Sequence, residues 1–474
     1  MHDHLSIAYV ACLERRDPVQ FVSNSRHFSL AASILGVLVS ALSTASAGTY
    51  YVAPNGNPAY PGTESQPWNL SKALDAVRPG DTVYLRGGIY SGGALWLKRS
   101  GTPGQWITFS AYPGEVPIIK GPGPGNAPKT SGVTDVSPIS YVRIEGLWVT
   151  GWHYAGISLG WNNPCHHIEF RYNVADLNGQ GGLACLKGEN CTIEYNIASR
   201  NGFGPDSWSS GVNLYEIKGS AHIVRGNISF HNIDTSSNHT DGGGFILDLS
   251  KGLGSAMFEN NIAFNNGGAC IIATDSSGIR LVNNTCWHNG QDASLRYSAA
   301  EFHFSDTRRD GKDYALMDVL MVNNVAIAAS GHKARSHDVG FQNGKFERNY
   351  LYPDTESIAE VYNNPQQADF RPLAKSPLGG AALSTAAPSL DVGFDPKCIT
   401  RQVRQKFNWW QHAPDIDYIR SIGGIKSCFR PRSRAQGTAT TIGAYEFVSD
   451  STKLAVPSTP TEVKLNAESR RDVP

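Results

Sequence analysis

Six short runs between residues 156 and 305 alternate apolar and polar side chains. They read GISLGW (156–161), GLACLK (182–187), GVNLYE (211–216), GFILDL (244–249), CIIATD (270–275) and AEFHFS (300–305). A period of two marks a strand with one face buried. Aligned on one another, the later runs point Val212 and Leu214, Phe245 and Leu247, Ile271 and Ala273, and Phe302 and Phe304 inward. Asn213 and Tyr215, Ile246 and Asp248, Ile272 and Thr274, and Glu301 and His303 then form an outward row.

A second pattern is interleaved with the first: FRYNVADLNG (170–179), EYNIASRNG (194–202), RGNISFHNI (225–233), ENNIAFNNG (259–267), VNNTCWHNG (282–290) and VNNVAIAAS (322–330). Each is an apolar run, an Asn, and a small or β-branched residue. Its first Asn falls at Asn173, Asn196, Asn227, Asn261, Asn284 and Asn324, with gaps of 23, 31, 34, 23 and 40 residues. A second Asn follows five residues on in the first five copies. A fixed motif with variable spacers fits a parallel β-helix, in which every coil passes the same turn while loops grow outward. Sandwich turns would recur every 8–12 residues or so; the wider spacing fits three-sided coils. Asn suits the turn because it tolerates left-handed backbone angles and its amide can bond the next coil. Upstream, Leu70, Ala73, Leu74 and Val77 space an amphipathic helix. A helix there is expected to cover the bare strand edges of the first coil. Thr441 to Glu446 reads as a last strand.

Composition agrees and narrows the function. Of 31 Asn, 22 lie between Asn162 and Asn349, and Gly reaches 49, which suits a turn-rich all-β chain rather than a long helical one. Lys plus Arg and Asp plus Glu are both 41, so the net charge is zero. No basic excess points to nucleic acid. The stretch Ser29 to Ala47 is apolar, follows Arg26 and His27, and closes on Ala-Ser-Ala. It reads as a secretory signal within residues 1–47, too short in strongly apolar positions to span a membrane. A cap and first coils over 48–140, coils and C-terminal closure over 141–447, and a disordered tail over 448–474 complete the expected organisation. The mature chain is expected to leave the cytoplasm and to act as a monomer. Beyond Cys12 seven cysteines remain; an oxidising compartment permits bridges, but the pairing stays open.

The PGDTVYLRGGIY segment (79–90), the repeated Asn and the terminal IGAYE segment (442–446) resemble secreted right-handed parallel β-helix proteins of the pectate lyase superfamily, over about residues 48–447. The resemblance implies an extracellular protein acting on an acidic polysaccharide, usually by calcium-assisted β-elimination. Its Asp-Gly-x-Gly-apolar-apolar-apolar-Asp segment is matched by Asp241 to Asp248. The tight aspartate cluster of family 9 pectate lyases is not matched: the chain has no Asp-Asp pair.

Elimination from a uronate needs the carboxylate neutralised, a base for the C5 proton, and a proton for the leaving oxygen. Asp248 is the leading catalytic candidate, because an outward mid-strand carboxylate has no capping duty. Lys218, one coil earlier, and His303, two coils later, are candidate bases. Tyr215, Asp241, Glu301, Arg280 and Arg296 are candidate substrate contacts, with Arg308 and Arg309 further cationic candidates. Trp152 and Trp161 are candidates for a sugar platform or for end-packing. Asp241 and Asp248 are the candidate calcium ligands, although an extended segment between them would span roughly 20 Å; Glu216 or Asp275 would have to help. Asp248 with Glu301 as a hydrolytic pair, C5-epimerisation, and glycan binding without catalysis are the alternatives.

Overall fold

The computed structural model describes residues 46–445, apart from residues 92, 206, 207, 209, 306–315, 338, 339, 353–360, 374, 380, 383–387, 389, 402–411, 435–440 and 442. Residues 1–45 of the expected signal segment, the expected tail, Arg308 and Arg309 therefore lie outside the described residues.

The alternating runs are strands of a right-handed parallel β-helix with three sheets. In each coil the chain passes through sheet I, then sheet II, then sheet III. Sheet I has 11 strands, from Thr49–Val52 to Lys345–Glu347. Sheet II has 10, from Gly88–Ser91 to Tyr350–Tyr352. Sheet III has nine, from Leu95–Leu97 to Lys333–His337, and includes all six alternating runs in register. Inward residues of sheets I and III, such as Phe109, Phe170, Phe258, Leu214, Phe245 and Phe302, form one continuous core. Sheet II contributes small inward residues: Ala175, Ala198, Ala263, Cys286 and Ala326. The helix Leu70–Ala76 buries Ala73 and Leu74 and lies against the first strands of sheets I and III.

Asn repeats stack into two buried ladders at the ends of sheet II. In the first, each Asn lends its Oδ1 to the amide and Nδ2 of the Asn one coil earlier, as Asn227 does to Asn196 at 3.0 and 2.9 Å. Its Nδ2 meets a strand carbonyl, Ile193 O, at 2.8 Å. This ladder runs from Asn173 through Asn324 and takes in Asn349. The second runs Asn178, Asn201, Asn232, Asn266, Asn289. The left-handed residue is the one before the ladder Asn: Tyr172, Tyr195, Gly226, Asn260, Asn283 and Asn323 have φ from 54° to 63°. Left-handed backbone costs roughly 1–2 kcal/mol per non-Gly residue, and several buried hydrogen bonds of about 1 kcal/mol each offset it. The ladder Asn supplies the bonds, and its neighbour absorbs the turn.

The described residues of 361–445 fold along the outside of sheet II, where Val361, Tyr362, Phe370, Phe394 and Phe429 share a second core with Ile228, Phe230, Phe264 and Trp287. The expected last strand is not one in its described part: Gly443 takes φ 92° and Ala444 donates to Thr285 Oγ1 at 3.0 Å. Ile442 and Glu446 lie outside the described residues. Cys185–Cys191, Cys270–Cys286 and Cys398–Cys428 are bridged, and Cys165 is a buried free thiol.

Candidate functional site

The outer face of sheet III carries two rows. One runs Leu186, Tyr215, Asp248, Thr274, Ser305, each residue paired with the next coil. The other runs Trp96, Thr134, Ser158, Ala184, Asn213, Ile246, Ile272, His303, Ser336. Asp248 thus stands on an outward row between Tyr215 and Thr274, as the alternation required.

Loops from the turn between sheets II and III build up one flank of this face. In the first, residues 233–244, the buried Asp234 accepts from Ser236 N at 2.9 Å, Ser236 Oγ at 2.6 Å and Thr240 N at 3.2 Å. Those bonds fold the loop back, and Gly242 (φ 75°) passes so close that a Cβ would lie 2.3 Å from Asp234 N. The next two glycines are confined by other neighbours: a Cβ would lie 2.5 Å from Ala269 O at Gly243 and 2.6 Å from Ala263 Cβ at Gly244. The chain turns at Gly242 before it enters the strand Phe245–Asp248, and Asp241 lies within electrostatic reach of Asp248. Burial, with the charges of Asp248 and Asp234, pushes the Asp241 carboxyl up to about 8. Like charges in a low-dielectric setting disfavour a second ionisation.

The second loop, residues 290–299, is tied to the first. His239 Nδ1 meets Asp292 Oδ2 at 2.8 Å, and the exposed Arg296 donates its amide to His239 O at 3.1 Å and its guanidinium to Ser237 O. Tyr297 then lies over sheet III. Its hydroxyl accepts from Ala269 N at 3.0 Å, it packs on Ile246 and Ile272, and its ring stacks 3.9 Å from that of His303. Burial, together with Asp241, Asp292 and Asp234, raises the Tyr297 hydroxyl. A cavity of about 340 Å³ beside this loop is lined by Gln291, Asp292, Leu295, Tyr297 and His332 among others, and by neither Asp241 nor Asp248. Asp241 and Asp248 lie outside this cavity and are half-buried.

Several sequence candidates sit elsewhere. His303 is outward by register but only 2% exposed, beneath Tyr297 and with Nδ1 2.8 Å from Ser336 Oγ. Glu301 is fully buried: its carboxylate takes the place of the next Asn, accepting from Asn289 N at 2.9 Å and Nδ2 at 2.6 Å. It ends the second ladder and is closed to substrate, which corrects its reading as an outward contact or a hydrolytic partner. Lys218 is exposed, but its bridge to Glu189 puts it past the turn, at the start of sheet I. Arg280 is exposed in the sheet I strand Ile279–Val282. The structure therefore brings Asp241, Asp248 and Tyr215 together, with Arg296 on the flanking loop. Trp152 is buried, with Nε1 on Ile119 O at 3.0 Å, and Trp161 is 56% exposed. Asp234 and Tyr297 were missed; their roles arise from loop folding, which alternation does not report.

Calcium takes six to eight oxygens. Among the described residues, the only triads of His, Cys, Asp or Glu with donor atoms within 4.8 Å of one another are Cys165–Cys185–Cys191 and Cys270–Cys286–Glu301. Two sulfurs of each are spent in a disulfide. Asp234 is turned into its own loop, and neither of these triads includes Asp241 or Asp248.

Residues 50–300, more than half of the chain, match the family described as Pel9A-like, right handed beta helix region. The chain is 26% identical over 406 residues to pectate lyase L of Paenibacillus polymyxa, covering 74% of this chain and 87% of that protein. It is 24% identical over 360 residues to pectate lyase L of Dickeya dadantii, covering 66% and 79%. Among solved structures it is similar to pectate lyase Pel9A, at 18% identity and a TM-score of 0.47, over 85% of this chain and 96% of that one. The three-sheet coil and the match across its repeats make this chain a member of the Pel9A-like right-handed β-helix family.

Proposed function

We propose that the protein is a secreted enzyme that cleaves a uronate-containing polysaccharide by β-elimination on the outer face of sheet III. One observation carries this reading: the outward row of sheet III, along which an extended polymer can lie, sets half-buried Asp248 between Tyr215 and Thr274, with Asp241 in electrostatic reach from the adjoining loop. The names of the relatives support the substrate class. Three disulfides and the apolar Ser29–Ala47 stretch support secretion. No helix among the described residues is long and apolar enough to cross a membrane.

In this mechanism Asp248 takes the C5 proton as general base. Asp241, kept protonated by its surroundings, donates a hydrogen bond to the uronate carboxylate and so offsets the charge that builds up at C5. The C5–H bond breaks, the C4–C5 double bond forms, and the C4–O bond opens. The leaving oxygen takes its proton from solvent. No step is assigned to calcium.

The test is incubation of purified protein with pectate, rhamnogalacturonan and alginate. The expected outcome is ultraviolet absorbance from unsaturated ends on one of them, lost by more than a hundredfold in Asp248→Ala (general-base catalysis contributes about 10²–10⁴-fold) and unchanged by a chelator. Reducing ends without that absorbance would make the enzyme a hydrolase. Full activity in Asp248→Ala would remove the site.

A further inference from the structure

A second feature of sheet III has no part in these steps. Trp161 follows the strand Ile157–Leu159 and is 56% exposed. A single exposed aromatic is ordinary by itself. This one is held in place. Buried Asp135 accepts from Gly160 N at 2.9 Å and from Asn163 Nδ2 at 3.0 Å, pinning both sides of the bend. Gly160 (φ 97°) would put a Cβ 1.8 Å from Leu186 O, so only glycine makes the turn. The bend sets the Trp161 ring 5.8 Å from that of Tyr215, tilted by 40°, and 4.7 Å from Lys187 Nζ. Lys187 in turn lies 4.0 Å from Glu216, at the edge of ion-pair range.

Two aromatic rings side by side, with an ammonium at their edge, suit a pyranose that carries a carboxylate. The rings meet its apolar C–H face, and the ammonium meets its charge. Tyr215 is one coil from Asp248, and the strand before Trp161 is three coils away, about 14 Å along the axis. We infer that Trp161, Tyr215 and Lys187 form a subsite for an acidic sugar residue other than the one that reacts at Asp248. This rests on the proposed function for its polymer, and adds a platform that selects charge apart from the reacting sugar.

Electrophoresis through gels holding pectate, or the same polymer with its carboxyls esterified, tests it. Wild-type protein is expected to be retarded in pectate. Trp161→Ala is expected to lose about tenfold in apparent affinity in both gels, worth about 1.4 kcal/mol, and Trp161→Phe to regain part of it. Lys187→Met is expected to lose affinity in pectate and not in the esterified gel. Circular dichroism and melting of each variant should match wild type. Wild type and Trp161→Ala retarded alike would overturn the subsite and leave the functional reading standing. Equal losses for Lys187→Met in both gels would overturn its selectivity for charge. Retardation of wild type in neither gel would overturn the functional reading, and the subsite with it.

Discussion

Sheets II and III are built by the same coils, with the same alternation and the same parallel register, yet their outer faces differ in kind. Sheet II turns Ile197, Ile228, Phe230, Ile262, Phe264, Trp287 and Ile327 outward, and all are buried under residues 361–445. Phe230 stacks on Phe264 at 4.9 Å, and Phe264 reaches Phe370 at 5.2 Å. Sheet III has two outward rows: Ile246, Ile272 and His303 are buried beneath Tyr297, whereas Tyr215, Asp248, Thr274 and Ser305 in the other row are not buried. The difference explains the small inward residues of sheet II: its large side chains are spent on the second core, and Ala175, Ala198 and Ala263 suffice inside. A β-helix must leave some face open for a polymer, and here the outward residues decide which. Apolar ones recruit a cover of chain, and polar ones keep it off.

Cutting into the covered face should give the largest effect. Phe264→Ala is expected to cost about 3–5 kcal/mol, because the ring is fully buried between the coil and its cover. The denaturation midpoint measures this, and a loss under about 1 kcal/mol would mean that the strip does not hold the cover.

How much of this was legible in the sequence differs between the two faces. The Asn spacing disclosed the coils, and alternation put Tyr215 and Asp248 on one row in the right order. The same alternation was available for sheet II, where Ile228 and Phe230 flank Ser229, and Ile262 and Phe264 flank Ala263. The Asn positions do not report it, so in the sequence Thr441 to Glu446 reads as an end strand, whereas in the structure the described C-terminal residues form a lateral cover. Glu301 was misplaced because parity gives a direction and not an environment. Loop 290–299 and the end of a ladder turned an outward carboxylate into a buried one. Lys218 and Arg280 were assigned near the row through sequence distance, which does not see that the turn after Tyr215 passes to another sheet. Tyr297 and the His239–Asp292 contact depend on two loops meeting, their contacting residues more than fifty apart, and no local pattern records that; Asp234 acts within its own loop.

Glu301 gives an intermediate effect, and one that depends on pH. Burial raises its carboxyl from the ordinary 4.5 to about 8, against hydrogen bonds from Asn289 that pull it down. The folded state therefore holds the proton more tightly than the unfolded chain. Its contribution to stability is complete below about pH 4.5 and is lost as pH rises through 8. Glu301→Gln removes that loss. The variant should match wild type near pH 5 and exceed it in denaturation midpoint near pH 8. Taking the difference between the two proteins cancels every other titrating group. Parallel pH profiles would show that Glu301 stays ionised in the ladder.

The smallest effect on stability should come from the open face, and it completes the contrast. Thr274 follows Asp248 in the outward row, half-buried, with its hydroxyl 2.8 Å from Ser305 Oγ. Thr274→Ala removes one solvent-accessible hydrogen bond and no core contact, so stability should move by no more than about 0.5 kcal/mol. If polymer lies along this row, the same change removes a hydroxyl beside the reacting carboxyls. Apparent affinity for the best acidic polysaccharide should then fall about two- to tenfold, the range of one hydrogen bond. Phe264→Ala should do the reverse, losing stability while its folded fraction binds as wild type does. An affinity unchanged in Thr274→Ala, or a melting point lowered as far as in Phe264→Ala, would erase the distinction between a face that holds the fold and a face that meets the substrate.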